Sequence, residues 1–410
     1  MDVFKRKTSF DPTINISSNK IKYDEQPSME QKYIACMVLH ALGDTIGFKN
    51  GEWEFKQGGF DRTLEKLYEF IDLGGINNIS LENWRISDDT ILHIKTALSI
   101  LQDFDNIDQL GKILKKNYLD ALNQFEKEGF ELRLPGLATL KSLNILRNGG
   151  SWDNIPYDIY LGGAGASMRC LCIGLAFYGE ENRYKLIQIS IEASRITHNS
   201  AVGYLGGMTS ALFTALAIEG KPINLWPFIL LDLFKIGLVH KYIKTSERGN
   251  DTFLKDYHIF VDKWHRYIED KFDDNKQPIK RKSGRNLVYR GKYYSETFGY
   301  RLDNNNEFEE SSKLDKNLKK LHQPGFIGSG GDDSVIIAYD CLIDSGQNWE
   351  KLVIYSMLHI GDTDTTGAIA GGFYGALYGF NDVPPYLLNF LEDKKKLIKI
   401  GKKLFDKFHK

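Results

Sequence analysis

Cysteine is scarce in this chain. Cys36, Cys170, Cys172 and Cys341 are the four in 410 residues. No CxxC pair and no His/Cys array of zinc spacing occurs among them, so neither a disulfide framework nor a structural zinc site is indicated. The thiols are expected to be buried and reduced. An excess of charge of one sign is also missing. Lys and Arg number 53 against 54 Asp and Glu, a formal net charge of -1. That excludes a polycation drawn to nucleic acid or an anionic membrane by its overall field, and leaves open only a local basic patch. Long apolar runs are short in supply. IACMVLHALG and WPFILLDLF read as the strongest, each too short for a span, with Asp232 interrupting the second. The start, MDVFKRKTSFDPTINISSNK, holds no apolar core of signal-peptide length. A cytosolic or nucleoplasmic protein is expected, assigned as cytoplasmic, with no nucleic-acid or membrane partner and with a monomer as the default.

Clean period-two alternation is scarce as well, which removes the main signature of strands. What is present is helical spacing. Tyr33, Met37, Val38 and Ala41 share one face. So do Ile91, Ile94, Leu98 and Leu101, then Leu212, Leu216 and Ile218, then Leu352, Tyr355, Leu358 and His359. This predicts an all-α fold. Residues 1–28 are polar and aperiodic and read as a disordered tail, with order from Met29 to the end in one domain. The stretch from about Lys241 to Leu321 is charged, rich in Asn, Lys and Asp, and low in glycine. It reads as a polar surface insertion carrying one amphipathic helix, DYHIFVDKWHRYIEDKF.

Two acidic segments carry chemistry. Ser87-Asp88-Asp89-Thr90 precedes the helical run ILHIKTALSIL, and Gly361-Asp362-Thr363-Asp364-Thr365-Thr366-Gly367 lies between two apolar runs. Each reads at first as ordinary helix capping, a hydroxyl or carboxylate accepting from the first turn. Taken together, four carboxylates beside hydroxyls at two helix starts also suit one shared site for a hard divalent cation, which takes oxygen ligands. No calcium-type DxDxDG loop occurs, so magnesium is the first expectation and manganese the second. Glu54, between Trp53 and Phe55, is either an exposed loop acid or one whose pKa the two aromatic rings raise by burying it.

Gly162-Gly163-Ala164-Gly165-Ala166-Ser167-Met168-Arg169 enters the apolar run CLCIGLAFYG. Such a loop presents backbone N–H groups to an anion such as a diphosphate, with Arg169 adding charge. Close helix packing explains the same small residues. It is neither a P-loop nor a dinucleotide fingerprint, since no strand precedes it and no Gly-Lys-Ser/Thr follows. His198, in RITHNS before another glycine-rich helix, is either a ligand contact or a structural histidine.

In this order, the blocks MVLHALGDTIGFKNGEWEF, WRISDDTILHIKTA, GGAGASMRCLCIGL, IEASRITHNSAVGYLGGMTSALFTA, GSGGDDSVIIAYDCL and MLHIGDTDTTGAIAGGFYGALYGF resemble the ADP-ribosylglycohydrolase family, and most closely its ADP-ribosylarginine hydrolase branch. The resemblance runs from about Met29 to Pro385 apart from the insertion. It implies a single orthogonally packed helical domain with a cleft for two magnesium ions. Ser87, Asp88 and Asp89 match the family's Ser/Thr-Asp-Asp metal motif, and Asp362, Asp364 and Thr365 its Asp-x-Asp-Ser/Thr motif. Gly163, Ala164, Gly165, Ala166, Ser167, Met168 and Arg169 match the loop that wraps the diphosphate and distal ribose. Glu54 matches an acid near the scissile ribose. HQPGFIGSGGDD departs from the pattern where relatives place an aromatic residue near adenine, so Gly325, Phe326 and Ile327 stand as the substitutes, and Phe48 replaces a frequent tyrosine. The implied partners are ADP-ribose and ADP-ribosylated proteins. The implied reaction is hydrolysis of the bond from ADP-ribose to arginine, with Asp88 or Asp89 as general base and Glu54 as an aid to the leaving guanidine. Rival readings are a hydrolase of serine-linked ADP-ribose or O-acetyl-ADP-ribose, a non-catalytic ADP-ribose-binding module, and a magnesium-dependent phosphohydrolase.

Overall fold

The computed structural model describes residues 26–55, 62–279, 286–298 and 326–409. Most of the expected tail, residues 1–25, and all of the stretch 299–325, Gly325 included, lie outside them. Among the described residues no strand forms, and the only β contacts are two isolated bridges, Gly163 with Gly330 and Phe272 with Pro278. The all-α expectation holds.

The helices follow the apolar spacing. In chain order they are α1 (Met29–Phe48), α2 (Arg62–Asp72), α3 (Gly75–Asn78), α4 (Asp88–Ile100), α5 (Ile107–Glu128), α6 (Leu137–Arg147), α7 (Leu171–Ala176), α8 (Arg183–Arg195) and α9 (Ala201–Ile218). Then come α10 (Trp226–Lys235), α11 (Leu238–Thr245), α12 (Asn250–Lys271), α13 (Leu287–Phe298), α14 (Ser334–Ser345), α15 (Trp349–Met357), α16 (Thr363–Tyr378) and α17 (Lys394–Phe408). Helix α1 starts with a capping box: Ser28 Oγ accepts from Gln31 N and the Gln31 side chain accepts from Ser28 N.

Helices α1 and α16 form the centre, antiparallel and backbone to backbone. A Cβ added at Gly47 would lie 2.0 Å from the Thr363 carbonyl oxygen, and one at Gly371 would lie 2.2 Å from that of Leu39. The small residues of both helices are there because no side chain fits between them. This contact sets the C-terminal end of α1 against the first turn of α16.

Helix α9 is buried along its whole length. It is long and apolar enough by composition to cross a membrane, a stretch longer than either run singled out from the sequence, yet all of it is packed inside the protein.

The stretch read as a surface insertion needs correction in its described part. Helices α12 and α13 each press an apolar face into the core. Trp264 is fully buried with its ring 5.4 Å from that of Phe213 on α9. Tyr267 donates to Asp340 on α14 over 2.9 Å, and Arg290 on α13 donates to Asp340 at 2.6 Å and Asp344 at 2.7 Å. In these two helices most of the polar residues lie on the outer faces, so composition alone hid the buried ones.

Candidate functional site

Both acidic segments are helix starts with genuine caps. Ser87 Oγ accepts from Asp89 N at 3.1 Å ahead of α4, and the Asp362 carboxylate accepts from Thr365 N at 3.3 Å ahead of α16. The capping reading and the shared-site reading are both true, because the fold brings the two helix starts together. What joins them is an acid on α1. Asp44 is fully buried and accepts from Ser87 N at 3.1 Å, Thr90 N at 3.2 Å and Thr90 Oγ1 at 2.5 Å. Its carboxylate therefore sits at the positive end of α4. Burial, then the neighbouring Asp364, push its pKa up to about 7, while the Thr90 and Ser87 hydrogen bonds restrain it.

A third segment closes over this pair. After α1 the backbone turns through Lys49 and Asn50, both in the left-handed region with φ of 42° and 56°. Phe55 N then donates to the Gly361 carbonyl at 3.1 Å. Glu54 is thereby aimed at the turn before α16. One carboxylate oxygen each from Glu54, Asp362 and Asp364 lie within 4.8 Å of one another. Burial raises Glu54, Asp88, Asp89 and Asp362 well above the usual carboxylate range, and for each of them repulsion from Asp364 is the next cause. Burial raises Asp364 too, held in check by a hydrogen bond with Asp362. Of the aromatic neighbours of Glu54, Trp53 is fully buried and Phe55 packs its ring 5.3 Å from Phe326.

Six acids therefore meet, Asp44, Asp88, Asp89, Asp362 and Asp364 buried and Glu54 half-buried. Glu54 Oε2 and Asp89 Oδ2 are buried with no hydrogen-bond partner. Like charges at this spacing stay ionised only if a cation lies among them. Carboxylates, the Ser87 and Thr365 hydroxyls and unused carboxylate oxygens are the donor set a hard divalent ion takes. The residues present fit such an ion.

The glycine-rich loop lies alongside. Met168 Sδ is 4.0 Å from Thr365 Oγ1, which joins the loop to the acidic turn. Residues 162–166 are laced to residues 329–331: Ala164 N donates to the Ser329 carbonyl at 2.7 Å and Gly331 N to the Gly162 carbonyl at 2.8 Å. Asp333 anchors the second strip by accepting from Gly328 N and Gly330 N, each at 2.9 Å. A Cβ on Gly165 would lie 2.5 Å from His198 Cε1, so glycine is required there for the histidine to fit. His198 is buried, its Nδ1 2.7 Å from Thr197 Oγ1, and burial lowers its pKa well below the usual value. Ser167 Oγ is buried without a partner.

Two sequence-based assignments change. Arg169 is fully buried behind the loop and is not presented to an anion. Its guanidinium donates to Tyr118 Oη at 3.0 Å and to the carbonyls of Gly165 at 2.5 Å and Ala193 at 2.8 Å, so it holds the loop from within. Ile327 is buried too, and its carbonyl accepts from Asp362 N at 2.9 Å, which assigns it to the acidic turn. Phe326 rests on the Glu54 loop through Phe55.

Sequence reasoning missed Asp44, Asp333 and Lys66. Asp44 carried a signal, an acid inside an otherwise apolar helix. Asp333 followed a glycine cluster. Lys66 carried none, since one of its two carbonyl partners, that of His359, lies 293 positions away.

A family model for ADP-ribosylglycohydrolase matches residues 25–410. The chain is similar to a protein of Acanthamoeba polyphaga mimivirus provisionally named an ADP-ribosyl glycohydrolase, 40% identical over 352 residues, covering 83% of this chain and 63% of that one. It spans under two thirds of that relative's length. It is also similar to ADP-ribosylhydrolase ARH1 of Dictyostelium discoideum, 35% identical over 385 residues, covering 90% of this chain and 92% of the relative. In fold it resembles a solved ADP-ribosylglycohydrolase-related protein complex, with a TM-score of 0.53, 16% identity, and coverage of 92% and 98%.

Proposed function

The chain belongs to the ADP-ribosylglycohydrolase family, and on that premise we propose that it is a magnesium-dependent hydrolase that releases ADP-ribose from arginine side chains of modified proteins. The observation that carries the reading is the meeting of six acids, five of them buried, from three distant segments, two of the six with an unpartnered buried oxygen. The arginine linkage is supported by the likeness to the Dictyostelium ADP-ribosylhydrolase.

Ser87, Asp88, Asp89, Asp362, Asp364 and Thr365 would hold the metal. Bound there, it would neutralise the acids, orient ribose hydroxyls and make a water more acidic. The remaining chemistry is the protein's own. Water bonds to the anomeric carbon as the bond to the guanidine nitrogen breaks, with the electron pair leaving on nitrogen. Asp88 or Asp89 takes the water proton. Guanidine is a strong base and departs only when protonated, and Glu54 would supply that proton. The buried carboxylates also stabilise positive charge that develops on the sugar. Gly163 to Met168 and His198 would hold the diphosphate and distal ribose, Met168 being the loop residue that meets Thr365 of the acidic turn.

The test is incubation with arginine-ADP-ribosylated and serine-ADP-ribosylated protein, with and without magnesium. Release of free ADP-ribose from the arginine substrate alone, dependent on magnesium and lost in Asp88→Asn, is the expected result. Release from the serine substrate alone would move the activity to the other linkage, and binding without release would make the protein an ADP-ribose-binding module.

A further inference from the structure

We infer that Lys66 is a positioning residue for this reaction, clamping the loop that carries Glu54 onto the turn that carries Asp362 and Asp364. The inference rests on the hydrolase reading above. Lys66 lies on α2 and is almost fully buried, at 1% exposure. Its ammonium donates to two backbone carbonyls, that of Trp53, one residue before Glu54, and that of His359, three residues before Asp362. On the other side of Glu54, Phe55 N donates to the Gly361 carbonyl at 3.1 Å. Glu54 is thus the one residue between two cross-links that join its loop to residues 359–361. Helix α2 grips the loop again through Glu69, which accepts from Trp53 Nε1 at 2.8 Å and from Lys49 Nζ.

An ammonium is a costly group to bury, and burial is tolerated where hydrogen bonds and opposite charge compensate. Both are present. Burial raises the pKa of Glu54 and of Asp364, and the Lys66 charge partly offsets that rise in both. Two carbonyl bonds are geometry that a bare counter-charge does not need. They fix where the Glu54 carboxylate stands relative to Asp362 and Asp364, whose oxygens lie within 4.8 Å of it.

The experiment is a double-mutant cycle of Lys66→Met and Glu54→Gln, read by turnover and by binding of Mn2+ followed by electron paramagnetic resonance. Lys66→Met is expected to lower kcat about a hundredfold, the scale of a small misplacement of a reacting group, with KM little changed. Lys66→Met should slow the Glu54→Gln protein by far less than it slows the wild type, because most of its effect passes through Glu54. Mn2+ should bind the Lys66→Met protein more weakly, and Lys66→Arg, which keeps donors and charge, should recover part of both losses. Additive losses in the cycle, or Mn2+ binding unchanged or tightened, would overturn the inference, the last because removing a merely repelling charge tightens a cation. If Lys66→Met does not fold, the same cycle with Lys66→Gln is read by the same outcomes. Failure of the hydrolase reading shows separately, as a wild-type protein that releases no ADP-ribose, and the Mn2+ titration still reports on the clamp.

Discussion

Gly43 on α1 and Gly367 on α16 face each other so closely that a Cβ on Gly43 would stand 2.0 Å from the Gly367 carbonyl oxygen. Gly47 meets Thr363 in the same way one turn on. This register sets Asp44, next to Gly43, beside Asp364 at the start of α16. Gly43→Ala is expected to force the helices apart, at roughly 1–3 kcal/mol, the usual cost of overpacking. Urea unfolding measures the stability, and the same protein should lose turnover even in the absence of urea, since Asp44 and Asp364 separate. An unchanged midpoint would mean the two backbones can shift freely.

Asp364 repels Asp44, Glu54, Asp88, Asp89 and Asp362. Asp364→Asn should therefore raise the melting temperature of metal-free protein at pH 8 while abolishing stabilisation by magnesium. In the wild type, magnesium at a hundred times its dissociation constant should add about 2.7 kcal/mol. Scanning calorimetry with chelator and with magnesium reads both effects. A less stable metal-free variant would show that these acids are held apart by other means.

His40 and His93 stack with ring centroids 4.0 Å apart in the core. His40 Nε2 donates to the Met168 carbonyl at 2.6 Å and His93 Nδ1 to that of Arg169 at 3.0 Å, so both brace the glycine-rich loop, and burial disfavours the charged form of each. Burial lowers His40 to about 4 from its usual 6.5. Between those values the unfolded chain binds a proton that the folded protein refuses. The stability contributed is full above pH 6.5 and is lost as pH falls towards 4, about 3 kcal/mol for this group. His40→Gln should flatten the dependence of unfolding free energy on pH across that window. Parallel curves for variant and wild type would contradict it.

Trp264 tests whether α12 belongs to the core. Its ring lies among those of Phe213, Phe260, Tyr267 and Tyr339. Trp264→Ala should cost roughly 3–5 kcal/mol, measured by urea unfolding. A loss under about 0.5 kcal/mol, the usual scale of a surface substitution, would restore the reading of this stretch as a surface excursion.

The helices were legible because apolar spacing is local, and so were the two acidic helix starts, since a cap is written in adjacent residues. Ser87 and Asp362 announce their helices whatever the rest of the chain does. The polar stretch after Lys241 misled because composition averages over a helix, while burial depends on one face of it. Arg169 misled because a guanidinium beside a glycine loop looks the same in sequence whether it points outward or is turned in upon Tyr118 and the carbonyls of Gly165 and Ala193.

By itself the sequence determined where helices begin, which residues are small, and which segments carry acid. Only the tertiary structure decided that Asp44, Glu54, Asp88 and Asp364 share one buried space, and that Lys66 reaches across to join two of their loops. The physical reason is one of range: capping and periodicity act over a few residues, whereas the approach of α1 to α16 sums packing along two helices more than 300 positions apart.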